Sequence, residues 1–285
     1  MKELPPPKTR SYGTDPRHLL PMVRDLVELL TLRAASSTTR RHAIQLGRSI
    51  RQHAFDARDP LPILDHPALA AFLGCEHPPE IVLPPIDTIS LSGLGFVVPY
   101  TLLATIASAC RPKKIFETGT FRGVGALTLA LNAPQADVYT LDLPPEAAAT
   151  EVETLSKGDK EWARLSRTSI GFAFRNHPAA ARIRQLYGNS LTFDPPPELN
   201  NTDLCFIDGG HSLQCIQADT QTALKILSPR GVIVWDDYSW FTGGVSQHLI
   251  TLSKSLPLYR IAGSQLVIYR RVPPDGSTTR GAVTS

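Results

Sequence analysis

Glu117, Asp142, Asp208, Asp236 and Asp237 each close a short run of apolar or β-forming residues, and His211 follows the third of them through two glycines. An acid at the end of a buried strand is held rigidly at the edge of a sheet, where open α/β sheets take their ligands. The stretch Lys114-Ile-Phe-Glu-Thr-Gly-Thr-Phe-Arg-Gly-Val-Gly-Ala-Leu-Thr-Leu-Ala-Leu131 gives the first acid its setting. It reads as a buried strand, a turn punctuated by glycine, and an amphipathic helix opening near Gly123. Glycines let such a turn bend sharply and approach a ligand closely. The glycines at 119, 123 and 125 miss the G-x-G-x-x-G spacing of dinucleotide folds. Glu117 would repel a pyrophosphate, but it suits a ligand bearing an ammonium and a sulfonium. The turn points to S-adenosylmethionine rather than NAD.

Asp142 ends the run Asp137-Val-Tyr-Thr-Leu-Asp142, one helix and one turn beyond Gly119. That lies near the roughly 20-residue offset of a ribose-binding acid, whose carboxylate accepts from both ribose hydroxyls. The plainer reading is a cap on the turn before Pro144-Pro145. The glycine turn and Glu117 upstream favour the ribose.

The remaining acids lie further along. Leu204-Cys-Phe-Ile-Asp208 runs into Gly209-Gly210-His211, and Gly231-Val-Ile-Val-Trp235 into Asp236-Asp237. On neighbouring strands Asp208, Asp236 and Asp237 converge on one edge. Three oxygen donors suit a hard octahedral cation such as Mg²⁺, which would lower a bound hydroxyl's pKa. The alternative is that Asp236 or Asp237 caps the following turn and Asp208 only orients cofactor. Imidazoles titrate near neutrality, so His211 is the candidate general base toward an acceptor hydroxyl. Its plainer role is packing at the start of the helix from Ser212.

These side chains need a sheet to hold them. From about Ser90 strands and helices alternate, the mark of a mainly parallel sheet. Helix Pro99 to Cys110, strand Lys114 to Glu117, the glycine-turn helix and strand Val138 to Asp142 follow in order. Residues 145–181 form an insertion, a lid or an elaborated crossover, with a helix at Glu151 to Leu165. Then come strands Ala181 to Tyr187 and Leu204 to Ile207, helix Ser212 to Leu227 and strand Gly231 to Trp235. Helix Val245 to Ser255 leads to an antiparallel hairpin, Leu258 to Ile261 with Gln265 to Tyr269. Upstream, apolar spacing predicts helices at Leu19 to Leu32 and Thr39 to Phe55, then a Pro-rich connector, Asp59 to Pro85, with a short helix inside it. The three parts are a helical extension and connector (1–89), a cofactor-binding domain (90–272) and a disordered tail (273–285).

Composition closes off other classes. The chain has 285 residues, 42% hydrophobic and 19% charged, an ordinary soluble profile. A net charge of +3 is too small to argue for nucleic acid, and the basic face around Arg40 to Arg51 reads as a solvated helix. Cys75, Cys110, Cys205 and Cys215 form no C-x-x-C pair, which argues against zinc and an oxidising compartment. No apolar run approaches the roughly 18 residues of a membrane span, and Met1-Lys-Glu-Leu-Pro-Pro-Pro has no signal-peptide core. The expectation is a cytoplasmic protein that acts on neither nucleic acid nor membrane.

Together these residues resemble the class I S-adenosylmethionine-dependent methyltransferases, over roughly Ser90 to Arg271. Glu117-Thr-Gly-Thr-Phe-Arg-Gly123 is similar to that family's first motif, which implies Glu117, Gly119, Thr120 and Gly123 at the cofactor. Ile207-Asp-Gly-Gly-His-Ser212 resembles the I-D-G-D-H-S signature of a bacterial small-molecule branch. Leu227-Ser-Pro-Arg-Gly-Val-Ile-Val234 and Gly263-Ser-Gln-Leu-Val-Ile-Tyr-Arg270 resemble its next strand entry and closing hairpin. That branch is similar to macrocin-type sugar O-methyltransferases, in which aspartates matching Asp208, Asp236 and Asp237 bind a divalent metal. The resemblance implies a Rossmann-like fold, a mainly parallel seven-stranded sheet with a C-terminal antiparallel hairpin and an N-terminal helical extension. It also places Asn189 and Ser190 near the adenine and Asp208 beside the cofactor. Gly210 stands where the branch carries an acid, leaving His211 as base, and Asn189 replaces an aspartate but still accepts a hydrogen bond. The function implied is methyl transfer to an oxygen, or less favourably a nitrogen, of a small molecule. A catalytically silent cofactor-binding protein and an NAD-dependent oxidoreductase are the rivals. The acceptor is unnamed, and the extension packs on its own domain or on a second copy in a homo-oligomer.

Overall fold

The structure is a computed structural model and describes residues 59–75, 77, 79–85, 97–147, 168–239 and 241–272, with Lys160. The upstream helices, the basic face around Arg40 to Arg51 and the tail lie outside the described residues. So does the helix expected at 151–165, apart from Lys160.

Alternation along the strands builds the fold. In β2 (Lys114–Thr118), Ile115 faces one core and Phe116 the other. Leu204 and Cys205 divide in the same way in β5 (Thr202–Ile207), as do Val232 and Ile233 in β6 (Leu227–Trp235). Successive side chains on a strand point to opposite faces, so a strand apolar at every position must be covered on both sides. One cover is α1 (His66–Leu73), α2 (Val97–Cys110) and α3 (Val124–Asn132), through Leu69, Leu103, Ile106 and Leu127. The other is α5 (Leu213–Ile226) and α6 (Gly243–Leu252), through Ile216, Ala223, Val245 and Leu249. A single turn, α4 (Phe172–Arg175), packs its Phe174 into the first of these cores.

The sheet order is β1-β7-β8-β6-β5-β2-β3-β4. Here β1 is Ile63–Leu64, β3 Asp137–Asp142, β4 Ile183–Tyr187, β7 Tyr259–Ile261 and β8 Val267–Arg270. The parallel core β4-β3-β2-β5-β6 winds outward from β2 and then resumes on its other side at β5. That reversal leaves a crevice outside the carboxyl ends of β2 and β5, where doubly wound sheets bind ligands. Register aligns the ends: Glu117 pairs with Thr140, Thr118 with Ile207, and Ile207 with Trp235. The closing hairpin is antiparallel, as expected, β8 lying between β6 and β7.

Three details differ from the sequence-based reading. The sheet has an eighth strand, because Ile63–Leu64 of the Pro-rich tract pairs in parallel with Arg260–Ile261. Asp59 fastens that tract: its carboxylate accepts from Tyr238 Oη at 2.6 Å and pairs with Arg260 Nη1 at 3.3 Å. β6 begins at Leu227 rather than Gly231, since Leu227 is buried and pairs with Thr202. β4 starts at Ile183 because residues 178–182 form a 3₁₀ turn capped by His177. None of the described helices is long and apolar enough to cross a membrane.

Candidate functional site

The turn after β2 is shaped by what it must pass. Gly119 has φ +91°, and a Cβ there would lie 1.9 Å from the Asp208 carbonyl oxygen. The turn therefore crosses the end of β5 with room for a hydrogen and nothing larger. Gly123, at φ +80°, faces Phe174, whose ring a Cβ would meet at 2.5 Å. Gly171 N donates to Phe121 O and Ala173 N to Arg122 O, both at 2.9 Å. The end of the 145–181 insertion is thus a brace on the glycine turn.

Glu117 lies behind this turn rather than at its mouth, with 1% of its surface exposed. A Cβ on Gly125 would come within 2.2 Å of Glu117 Oε1, so the helix start closes directly over the carboxyl. Thr140 donates to Glu117 Oε2 in a short hydrogen bond. Thr120 Oγ1 lies 2.7 Å from Thr140 Oγ1, and Gln185 Nε2 donates to Thr120 Oγ1 at 2.9 Å. Because Thr140 spends its proton on Glu117, Thr120 must donate to Thr140. The donors run in one direction, Gln185 to Thr120 to Thr140 to Glu117. Burial pushes the Glu117 carboxyl up to about 8, with Thr140 pulling it down and Asp142 adding to the rise. Neither Glu117 nor the Thr120 hydroxyl faces a ligand directly; both stiffen the turn that would.

Asp142 is half-buried at the crevice. Its Oδ2 accepts from Phe121 N and its Oδ1 from Leu143 N, each at 2.7 Å. The first bond joins the end of β3 to the glycine turn across 21 residues. Each oxygen retains acceptor capacity. Burial raises this carboxyl while the two amides lower it. Beyond β4, Asn189 Oδ1 accepts from Leu191 N at 3.0 Å, and Ser190 lies near the Asp219 carboxyl.

The ends of β5 and β6 bring the other acids together. Asp236 is buried, and its Oδ1 accepts from Asp237 N at 2.7 Å. Burial, then the Asp237 charge, push Asp236 up to about 7. Asp208 is raised well above the carboxylate range by burial first, then by Asp236 and Asp237, with His211 opposing. Asp237 takes φ +63°, uncommon for a residue with a side chain, while Thr242 donates to its carbonyl. In that conformation its Oδ2 lies 2.5 Å from His211 Nε2. Gly244 holds the other side, where a Cβ would lie 2.5 Å from the His211 carbonyl oxygen. The helix cap is Ser212, accepting from Cys215 N at 3.2 Å, so His211 is not spent on capping.

This arrangement corrects the expected metal site. Among the described residues no group of three or more His, Cys, Asp or Glu is arranged to hold a metal ion. Asp237 is turned to His211 and one Asp236 oxygen is taken by a backbone amide. Asp208, Asp236 and Asp237 therefore do not fit Mg²⁺ as placed, and no step is routed through a cation.

Asp219 was not anticipated. It is 1% exposed on α5; its Oδ2 accepts from Thr118 Oγ1 at 3.3 Å, and Ser190 lies close enough to lower its proton affinity. The available signal was its position, on the apolar face with Ile216, Thr220 and Ala223, where a lone carboxylate needs a reason.

Residues 116–238 match a family model described as a methyltransferase domain. A curated relative, the O-methyltransferase hkm8 of Aspergillus hancockii, is 30% identical over 146 residues, covering 49% of each chain. The chain thus spans about half the length of the curated relative it matches. Among solved structures, the Podospora anserina methyltransferase PaMTH1, bound to SAH, is 15% identical with a TM-score of 0.48, covering 72% of this chain and 93% of that one. The O-methyltransferase TomG of Streptomyces achromogenes, in complex with SAM, is 18% identical with a TM-score of 0.44, covering 67% and 92%.

Proposed function

We propose that this chain, which carries a methyltransferase domain over residues 116–238, transfers a methyl group from S-adenosylmethionine to a hydroxyl of a small molecule. The observation that carries the reading is Asp142, hydrogen-bonded to the glycine turn at 2.7 Å and half-open at the sheet's reversal point. Its remaining lone pairs suit two ribose hydroxyls, and Gly119 lets the neighbouring turn cross the end of β5 at close range. The residues present fit the cofactor.

When bound, the cofactor supplies an electrophilic sulfonium methyl and a neutral thioether leaving group. Asp142 fixes the ribose, and the 188–190 turn borders the purine. On the acceptor side, Asp237 fixes the imidazole through Nε2, which directs the lone pair of neutral His211 to Nδ1. Nδ1 takes the acceptor's hydroxyl proton as the oxygen–methyl bond forms and the methyl–sulfur bond breaks, and Asp237 stabilises the resulting imidazolium. Protonated Asp208 and Asp236 would add no negative charge to repel the developing alkoxide. Positioning of donor and acceptor in line supplies the remainder.

The test is calorimetry with S-adenosylhomocysteine, S-adenosylmethionine and NAD, followed by methyl-transfer assays on a panel of phenols and sugars. Binding of the first two is expected, with Asp142→Ala losing on the order of 1.5–3 kcal/mol for each charge-assisted bond removed. Tight NAD binding with no heat from either sulfur ligand would sink the reading. Cofactor binding without transfer to any acceptor would favour a silent binding protein.

A further inference from the structure

We infer that Asp219 is the positioning residue of the cofactor pocket, a carboxylate behind the sheet that fixes three ligand-facing loops at once. The inference rests on the cofactor reading above and concerns how that pocket is held in shape. Thr118, the last residue of β2, donates to Asp219 Oδ2 at 3.3 Å. Ser190, in the turn after β4, lies near the same carboxyl and lowers its proton affinity. Gly209, following β5, comes so near that a Cβ would lie 2.8 Å from Asp219 Oδ2. Those three segments border the crevice from three strands, and none of them bonds the others directly through a side chain among the described residues. Asp219 is their common point.

Stability does not explain the residue. Its Oδ1 is buried and makes no hydrogen bond. A carboxyl with only hydroxyl partners, buried at 1% exposure, costs the fold more than an apolar side chain of similar volume. Its neighbours on the same helix face, Ile216 and Ala223, show what the core accepts there. What Asp219 does supply is direction. The Thr118 hydroxyl ties the residue just before Gly119 to the carboxyl, and Ser190 brings the turn that follows Gly188 close to the same group. Asp219 thereby sets the spacing between the glycine turn and the 188–190 turn. Pre-organisation of this kind raises affinity without contact, because the ligand no longer has to order the loops.

The test uses the full chain and S-adenosylhomocysteine, with calorimetry on the parent, Asp219→Leu and Asp219→Asn, and a thermal melt of each free protein. Asp219→Leu should remain folded at the assay temperature yet bind about tenfold more weakly or worse, the scale of one lost charge-assisted bond. Asp219→Asn, which keeps an acceptor, should recover part of that loss. A purely structural role would instead lower the melting temperature and leave the affinity of the folded protein unchanged, which overturns the inference. If Asp219→Leu does not fold, Thr118→Val, which removes the hydroxyl that bonds Asp219, takes its place: weaker binding at unchanged melting supports the inference, and unchanged binding overturns it. A parent that binds no S-adenosylhomocysteine defeats the cofactor reading and the inference with it, a result distinct from loss in the variants alone.

Discussion

At the β2–β4 end of the crevice each acid is met by hydroxyls or backbone amides, whereas at the β5–β6 end three carboxylates crowd together beside one histidine. Glu117 receives a relay of hydroxyls from Thr140 and Thr120, and Asp142 receives two backbone amides. Asp208 and Asp236 are instead raised, by burial first and then by neighbouring carboxylate charge, with His211 opposing. Satisfied hydrogen bonds make a site rigid, which serves binding of a fixed ligand. Acids that push one another's titration toward neutrality make a site able to move protons. On the proposed reading, one end would hold the ligand and the other would react.

The sharpest way to break that division is at His211. With an acceptor identified from the panel, His211→Ala should lower turnover by about 10²–10⁴, the usual worth of a positioned base. S-adenosylhomocysteine affinity should stay within about twofold, since no bond at the β2–β4 end is touched. Asp237→Asn should show the same split with a smaller loss, and excess chelator should leave turnover intact. Loss of activity on chelation would restore the cation at Asp208, Asp236 and Asp237 and redraw the reactive end.

The holding end is tested by adding one carbon. Gly119→Ala forces a methyl to within 1.9 Å of the Asp208 carbonyl at φ +91°. Strain and overpacking together should cost on the order of 3 kcal/mol, read by urea unfolding, and should weaken cofactor binding. Gly263→Ala is the control: its φ is +72°, but nothing lies within 4 Å of the added carbon. It should cost about 1 kcal/mol and leave binding alone. Equal losses at both sites would mean that the Gly119 turn is ordinary backbone strain rather than a close crossing.

Much of this was legible in the sequence because apolar runs that end in acids fix both a strand and the place where its carboxylate must emerge. The parallel order, the hairpin and the gathering of Asp142, Asp208 and Asp236 at one edge all follow from that pattern. The eighth strand was hidden because two residues between prolines, Ile63 and Leu64, carry no periodicity. Glu117 was read as facing a ligand, and its enclosure depends on how near Gly125 approaches, a tertiary distance that spacing does not encode. The metal expectation finds no support among the described residues for a related reason. Adjacent acids at 236 and 237 show two carboxylates, but the left-handed backbone of Asp237 decides where the second one points.

The smallest effect expected, and the one that compares both ends in a single measurement, is the pH dependence of stability. Burial raises Glu117 to about 8, Asp236 to about 7 and Asp219 to about 6. Each then holds its proton in the folded protein at pH values where the unfolded chain has released it. Unfolding releases protons across that window, so stability is greatest in acid, declines once pH rises above the ordinary carboxylate range of about 4, and levels off past about 8. The melting temperature should therefore fall by a few degrees between about pH 5.5 and pH 8.5, against the usual optimum near neutrality. The two ends separate by where each variant flattens the curve. Glu117→Gln should remove the decline nearest pH 8, and Asp236→Asn the part around pH 7. A melting temperature that is level or rises across this range would show that the acids are ionised in the folded state. In that case the β5–β6 end would hold its charge by some other means, and the contrast between a holding end and a reacting end would lose its electrostatic basis.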